Sequence, residues 1–125
     1  MSWIINKKKI SNKKHYLQVL KTTTICVSNQ GLEDSIGWKF AEYICNSSAV
    51  LTTPIDKYKL LGPLKEGVNY LTFNSEKEFE LQLELLLTNK DLYYKMIRNN
   101  FDYYERYLHP LSKMKKIIEI IINDV

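Results

Sequence analysis

Three short apolar runs constrain the fold of this chain more than any other feature of its sequence. They are TICVS, SSAVLTT and NYLTF, at residues 24–28, 47–53 and 69–73. Each has the length of a β-strand, and segments with helical periodicity lie between or after them. Continuous apolar strands that alternate with helices are typical of a parallel sheet covered on both faces. The sequence therefore predicts an α/β fold, a partial Rossmann-like domain in which a small parallel sheet is flanked by helices and followed by a C-terminal helical tail.

Five segments have the apolar periodicity of helices. They are residues 11–21, 37–46, the run after Ser75, 90–108 and 111–123. Ser11 or Asn12 can cap the first helix, and Ser75 with Glu78 forms a capping box before the third. Pro110 breaks the fourth. Two helices place apolar side chains on one face, namely Phe79, Leu83, Leu86 and Leu87 in the third, and Leu111, Met114, Ile118, Ile121 and Ile122 in the fifth.

Length and composition favour a single soluble globular domain. The chain has 125 residues, of which 45% are hydrophobic and 26% charged, and such a length fits one domain. The start, MSWIINKKKI, lacks the apolar core of a secretory signal, so we expect a cytoplasmic protein without a transmembrane segment. The cysteines, Cys26 and Cys45, are predicted to be buried free thiols. Their spacing with the two histidines matches no metal site, and no metal or cofactor is expected.

The net charge of +4 is concentrated near the N-terminus. Residues 1–21 hold six lysines and no acidic residue, so residues 1–10 form a basic N-terminal arm. Such an arm can meet nucleic acid or another phosphate-rich surface. Residues 1–21 contain no arginine, however, and only Trp3 and Tyr16 are aromatic. A solvated lysine-rich edge therefore explains the arm better than nucleic-acid binding does.

The stretch GLEDSIGWKFAEY, residues 31–43, joins the first predicted strand to a helix. Ligands of parallel sheets bind outside the carboxyl ends of the strands, and a helix N-terminus at that edge suits an anion. Gly31 and Gly37 allow positive φ and a close approach of the backbone to a ligand. The amides of Gly37, Trp38 and Lys39 are candidates to hold a phosphate, with the Lys39 charge beside them.

Three carboxylates of the same stretch are further candidates. Glu42 can accept two hydrogen bonds from a vicinal diol such as a ribose. Glu33 and Asp34 lie on the loop, where they can meet the polar groups of a bound sugar. A capped turn followed by a surface glutamate explains this pattern more simply than a ligand site does, so the pattern alone favours a structural role.

The run GLEDSIGWKFAEYICNSSAVLTTPI resembles the signature segment of group-1 glycosyltransferases with the GT-B fold. In that family a Gly-and-acid loop, a helix with a Lys-Phe/Leu-x-Glu core and a strand of small residues followed by Val-Leu occur in this order. The stretches PLKEGVNYLTFNSEKEFELQLELLL and NNFDYYERYLHP resemble later parts of the nucleotide-binding half. The resemblance covers about residues 14–122. It implies the C-terminal, donor-binding part of an enzyme that transfers a hexose from a nucleotide sugar to a carbohydrate acceptor.

The resemblance also implies roles for individual residues. Glu42 matches the second glutamate of the family's acidic pair, which holds the donor ribose. Asp34 matches the first carboxylate of that pair, with Glu33 as its neighbour, and would contact the transferred sugar as the catalytic position. The helix start, residues 37–39, matches the one that faces the donor diphosphate. Asn46 stands where the family commonly has a glycine.

The family's acceptor half and its basic diphosphate motif have no counterpart in these 125 residues. We therefore expect the chain to be incomplete on its own and inactive without a separate N-terminal half, or to form a homodimer. The alternative is a non-enzymatic protein-interaction module derived from a glycosyltransferase. In that case exposed tyrosines would anchor a partner, namely Tyr93, Tyr94, Tyr103, Tyr104 and Tyr107. Packing of about half of these rings on the sheet explains them more simply.

Overall fold

The computed structural model of the chain describes residues 12–31, 33, 35–60 and 62–124. The predicted basic arm, residues 1–10, lies outside these ranges. The described part has the predicted α/β fold, with a small parallel sheet flanked by helices. In chain order its elements are α1 (Lys13–Thr22), β1 (Ile25–Ser28), α2 (Trp38–Cys45), β2 (Ala49–Thr52), β3 (Leu71–Thr72), α3 (Glu76–Thr88), α4 (Lys90–Tyr103), a π-helical turn (Tyr104–Leu108) and α5 (Pro110–Asn123).

The three strands lie in the order β1-β2-β3, and both neighbouring pairs are parallel. Ile25 is opposite Ala49, and Leu51 is opposite Leu71. Parallel neighbours need a crossover connection, and α2 supplies it between β1 and β2. The connection from β2 to β3 spans residues 53–70, and its described residues, 53–60 and 62–70, form no helix. All three strands therefore end at the same edge of the sheet, called the carboxyl edge below.

The core lies on both faces of the central strand β2. Its four residues are all buried, and successive side chains of a strand point to opposite faces. Val50 packs on the face that α2 covers, with Phe40 and Ile44. Ala49 and Leu51 pack on the other face, where α3 and α4 contribute Leu86 and Met96. The apolar run SSAVLTT thus became the buried strand that its lack of alternation predicts.

Two local signals predicted helix starts correctly. The Asn12 side chain accepts from the backbone amide of Lys14 at 3.0 Å and caps α1. Ser75 caps α3, since its hydroxyl accepts from the amide of Glu78 at 3.2 Å. Glu78 reaches back to the amide of Asn74 at 2.7 Å, one residue before the cap. These contacts join residues two to four apart in sequence, which is why a local pattern could predict them.

The amino edge of the sheet is closed by a buried asparagine of α4. Asn100 is fully buried, and its Nδ2 donates to the carbonyls of Ser48 and Asn69 at 2.7 and 2.9 Å. Its Oδ1 accepts from Asn69 Nδ2 at 3.0 Å. Ser48 precedes β2 and Asn69 lies shortly before β3, so one side chain holds α4 against the starts of two strands.

Several element ends differ from the sequence predictions. The third strand is shorter than 69–73 because the amide of Asn69 bonds to Lys65 and that of Gly67 bonds to Tyr70, which places residues 67–69 in a turn. The fourth helix changes to π-helical geometry over Tyr104–Leu108. The preceding helix ends before Pro110, as expected, but Pro110 is itself the first residue of α5, which was predicted to begin at Leu111. Proline is tolerated there because a first-turn amide has no partner within the helix.

Some predicted exposures were wrong. Cys26 is buried as expected, but Cys45 is exposed. Leu87 was placed on the buried face of α3 and is 60% exposed. The interaction-module alternative requires five tyrosines as exposed anchors, but of these Tyr103 is buried and Tyr94 alone is exposed. Tyr103 is buried because the end of α4 and the π-helical turn pack on the α2 side of the sheet, which their own periodicity does not reveal.

Candidate functional site

The loop that follows β1 lies at the carboxyl edge of the sheet, as predicted. The backbone amide of Gln30 donates to Thr53 Oγ1 at 2.8 Å, and its side-chain Nε2 donates to the carbonyl of Pro54 at 3.1 Å. Thr53 and Pro54 directly follow β2. Gln30 therefore attaches the loop to the neighbouring strand end.

The loop closes on itself between Gln30 and Ile36. These two residues form an antiparallel bridge, and the amide of Gly31 donates to the carbonyl of Ser35 at 2.6 Å. A Cβ on Gly31 would lie 2.6 Å from Ser35 Oγ and 3.2 Å from the Ser35 carbonyl oxygen. Gly31 therefore allows a close approach within the loop, while the positive φ expected of it belongs to Glu33, at 54°.

The predicted catalytic residues are only partly covered by the structure. Glu33 is exposed on the loop, where a polar ligand can reach its carboxylate. Asp34 lies outside the described residues. The pairing of these two carboxylates around a sugar remains a prediction.

The helix that follows begins without a side-chain cap. Gly37 is the N-cap of α2 and has no side chain to accept from the first-turn amides. The next residue, Trp38, is 89% exposed, and Lys39 is exposed beside it. The helix has no acidic residue in its first turn, so the positive end of its dipole is not neutralised from within the helix. Phe40 and Ile44 are buried and hold α2 on the sheet.

Glu42 lies one turn further along α2, on the side of Trp38 and Lys39. The spacing i+3 and i+4 places the three residues on neighbouring parts of the helix surface. The carboxylate binds two residues of α1, since Lys13 Nζ donates to Oε1 and the Tyr16 hydroxyl donates to Oε2 at 2.9 Å. We call these five residues, Lys13, Tyr16, Trp38, Lys39 and Glu42, the α1–α2 polar face.

The charges of the polar face shift two pKa values. The Lys13 ammonium, hydrogen-bonded to Glu42, holds the pKa of that carboxyl below its ordinary value, and the hydrogen bond from Tyr16 acts in the same direction against the opposing effect of burial. Burial and the hydrogen bond to Glu42 raise the pKa of the Tyr16 phenol. Near neutral pH the face therefore presents a carboxylate and a neutral phenol beside the side chains of Lys13 and Lys39.

The carboxylate of Glu42 keeps some capacity for a ligand. Its side chain is 28% exposed, while that of Lys13 is 67% exposed. Each carboxylate oxygen offers two lone-pair directions, so one acceptor position per oxygen remains after Lys13 and Tyr16 have bound. Ion pairs this exposed contribute about 0–1 kcal/mol, so a ligand could replace Lys13 at small cost.

A polar cavity lies next to this loop at the ends of β2 and β3. Its volume is about 270 Å³, and its lining includes Asp56, Glu66 and Thr72. Pro54, whose carbonyl accepts from Gln30, also lines it. Two carboxylates make this cavity unfavourable for a diphosphate, but they are suitable acceptors for the hydroxyl groups of a sugar.

Two residues of α1, Lys13 and Tyr16, contribute to the site and were not predicted from the sequence. Lys13 and Tyr16 are 29 and 26 residues from Glu42 in sequence, so no local pattern connects them. Their own spacing of three residues on a predicted helix was a signal that they share a face. Gln30 was also missed, because a polar residue before a glycine is common in loops.

Comparisons with protein-family models, with curated proteins and with solved structures give no match to this chain. None of the helices in the described residues combines the length and the apolar character that crossing a bilayer requires. Within the same residues, no three His, Cys, Asp or Glu side chains come together as ligands for a metal ion.

Proposed function

We propose that the chain binds the nucleotide-sugar donor of a hexosyl transfer, as the C-terminal part of a GT-B glycosyltransferase. One observation carries the proposal: the exposed N-terminus of α2, with Trp38 and Lys39, stands at the carboxyl edge of a parallel sheet and next to the carboxylate of Glu42. Helix amides and lysine suit a diphosphate, whereas a carboxylate suits a ribose diol. These groups follow one another on a single helix surface.

In this proposal each group has a separate task. The first-turn amides of α2 and Lys39 hold the diphosphate, and Glu42 accepts from the ribose hydroxyls. Glu33 contacts the transferred hexose together with Asp34. The exposed ring of Trp38 offers an apolar surface on which a base or a sugar can stack.

We further propose that the chain transfers little or no hexose by itself. The leaving diphosphate develops negative charge that must be stabilised in the transition state. Near α2, the described residues offer for this purpose the helix amides and the side chains of Lys39 and Lys13. A separate N-terminal half that carries the acceptor and further cations would complete the site. Hexosyl transfer by the purified chain would contradict this part of the proposal.

The experiment is a titration of isotope-labelled chain with UDP, GDP and ADP, followed through backbone amide NMR signals. We expect saturable shifts over residues 31–42, at millimolar or lower nucleotide, and preference for one base. The shifts should disappear in Trp38→Ala. The matched control is Tyr94→Ala, which removes another exposed aromatic side chain, 62% exposed, from α4.

Tyr16→Phe distinguishes a ligand role of Glu42 from a purely structural one. This variant removes the 2.9 Å hydrogen bond to the carboxylate but leaves the carboxylate itself. Nucleotide binding should persist in Tyr16→Phe and weaken in Glu42→Gln. A folded chain without shifts at millimolar nucleotide would refute the donor site.

The second candidate is a protein-interaction module, and the exposed apolar side chains of α5 favour it. The same titration separates the two candidates, because an interaction module predicts no saturable nucleotide site at α2.

A further inference from the structure

Two neighbouring cavities lie at the ends of β2 and β3. The smaller one, described above, has a volume of about 270 Å³, and the larger one has about 560 Å³. Both are lined by Ile55, Asp56 and Tyr70, and we call them the Tyr70 cavities. Small-molecule sites typically have volumes of roughly 300–1,000 Å³, so the Tyr70 cavities have the size that a small ligand needs.

Tyr70 is a buried residue whose hydroxyl has no partner in the described chain. Its side chain is 6% exposed, and its ring packs edge-on against Phe40 with 5.8 Å between the ring centres. No hydrogen bond joins the Tyr70 hydroxyl to another described residue, whereas the hydroxyl of a buried tyrosine usually has a partner. Among the described side chains, no fully buried nitrogen or oxygen lacks a partner. The Tyr70 hydroxyl is therefore open to the cavities that this residue lines.

Two carboxylates lie near this hydroxyl. Burial raises the pKa of the Tyr70 phenol, and the negative charges of Glu66 and Asp56 act in the same direction, so the phenol is neutral near neutral pH. Both carboxylates line the smaller cavity. In the part of the chain that the structure describes, neither of them forms an ion pair with a lysine or an arginine. The negative charge of this cavity is therefore not neutralised by a bound side chain.

The backbone before β3 holds these groups in place. Glu66 and Tyr70 form a parallel bridge, and the amide of Gly67 donates to the carbonyl of Tyr70 at 2.8 Å. The Thr72 hydroxyl donates to Oε1 of Glu66. The carboxylate of Glu66 is thus positioned by a side chain that also lines the cavity.

This arrangement suits a ligand that donates hydrogen bonds and carries positive charge. An ammonium group has three donors and no acceptor, whereas a carboxylate only accepts and the neutral phenol oxygen can accept. A sugar hydroxyl can also donate to a carboxylate, but it leaves both negative charges uncompensated. Calcium takes six to eight oxygen ligands, which is more than two carboxylates supply. Ile55 and Leu64, which line the larger cavity, offer apolar contact to the carbon skeleton of an amine.

We propose that the Tyr70 cavities bind the ammonium group of a small amine, which donates to Asp56, Glu66 and the hydroxyl oxygen of Tyr70. The two carboxylates provide the attraction, and the buried ring of Tyr70 fixes the position of the third acceptor. The site is separate from the nucleotide site proposed at α2, and neither proposal depends on the other.

The first test is a titration of the isotope-labelled full chain with glucosamine, cyclohexylamine and glucose, followed through backbone amide NMR signals. At about pH 6.5 both amines carry an ammonium group, whereas glucose has hydroxyl groups alone. We expect saturable shifts over residues 55–56 and 66–74 with an amine at millimolar concentration and none with glucose. Binding should weaken several-fold between about 50 and about 500 mM sodium chloride, because salt screens the charges.

Each ligand of this titration has a defined meaning. Shifts with both amines support the proposal, shifts with glucosamine alone indicate an amino sugar, and shifts with cyclohexylamine alone indicate an apolar amine. Equal shifts with glucose and glucosamine would assign the cavities to hydroxyl groups and overturn the proposal. The absence of shifts with both amines would also overturn it, as would the same shifts with magnesium or calcium chloride.

The second test removes the polar groups one at a time. Tyr70→Phe keeps the ring against Phe40 and should raise the dissociation constant of the amine about tenfold, since hydrogen bonds to charged groups are strong. The matched control is Tyr93→Phe, which removes the hydroxyl of a half-buried tyrosine on the other face of the sheet. Equal dissociation constants for Tyr70→Phe and the wild type would refute the role of Tyr70.

The carboxylates are tested in the same way. Glu66→Gln and Asp56→Asn should each raise the dissociation constant at least about threefold, an effect limited by their exposure. Glu80→Gln, which removes an exposed carboxylate from α3, should leave it unchanged. Amine binding that is as tight in both cavity variants as in Glu80→Gln would overturn the proposal.

Discussion

The side chains at the two edges of the sheet differ in burial and in hydrogen bonding. At the amino edge, Asn100 is fully buried and every hydrogen-bonding atom of its amide has a partner. At the carboxyl edge, Glu33, Trp38 and Lys39 are exposed, and Glu42 is partly exposed. Buried satisfied groups stabilise one structure, whereas exposed groups around a helix N-terminus are available to a ligand. The comparison indicates where substitution should affect stability and where it should affect binding.

The largest expected effect is at the amino edge. Asn100→Leu removes the hydrogen-bond partner of three groups, namely the carbonyls of Ser48 and Asn69 and the side-chain Nδ2 of Asn69. Each buried group left unpaired costs about 1–3 kcal/mol. We expect the free energy of unfolding, measured with urea, to fall by about 3–5 kcal/mol.

Asn99→Ala is the control for that substitution. Asn99 is adjacent, half-buried and donates to the carbonyl of Val68 at 3.2 Å. Its replacement should cost about 1 kcal/mol or less. Equal costs for the two variants would mean that Asn100 does not close the amino edge.

A smaller effect is expected where α1 meets α2. Because the pKa of Glu42 is lowered in the folded chain, its contribution is fully present above the ordinary glutamate pKa and is lost as the pH falls through the lowered value. Glu42→Gln should therefore lower the free energy of unfolding at pH 7 by up to about 1 kcal/mol, a value limited by the exposure of the pair. The difference from the wild type should shrink with acid and with added salt.

Denaturation at pH 7 and at acidic pH, each at low and high salt, measures this difference. Glu80→Gln, which removes an exposed carboxylate from α3, is the comparison variant. If Glu42→Gln behaves like Glu80→Gln at every pH, Lys13 and Tyr16 do not stabilise the fold through Glu42.

The smallest effect on stability is expected at Trp38. Its side chain is 89% exposed, and exposed substitutions away from caps and networks usually change stability by less than about 0.5 kcal/mol. Trp38→Ala should therefore unfold like the wild type while losing the nucleotide shifts described above. A marked loss of stability would mean that Trp38 contributes to the packing of the fold. The lost nucleotide shifts could then not be assigned to a contact between Trp38 and the ligand.

Local signals predicted much of the fold and the position of the candidate site. The apolar runs became strands, and Asn12 and Ser75 cap helices, because the contacts involved lie within a few residues. A parallel order then placed the Gly-rich loop at the carboxyl edge. The sequence failed where burial depends on a distant element, since Cys45 remains exposed and Tyr103 is buried. Helical periodicity tells which residues share a face, but it does not tell which neighbour covers that face.

The sequence by itself determined the α/β class, the strand positions and the helix that opens at the carboxyl edge, because hydrophobic periodicity and capping act over short distances. Only the tertiary structure decided that Glu42 binds Lys13 and Tyr16, that Asn100 joins two strand starts and that the described residues bury no side chain of α5. The first two outcomes depend on the packing of segments that are 26–52 residues apart. The third depends on whether another described element packs on α5. Such contacts are set by the topology of the whole domain, and no local pattern contains them.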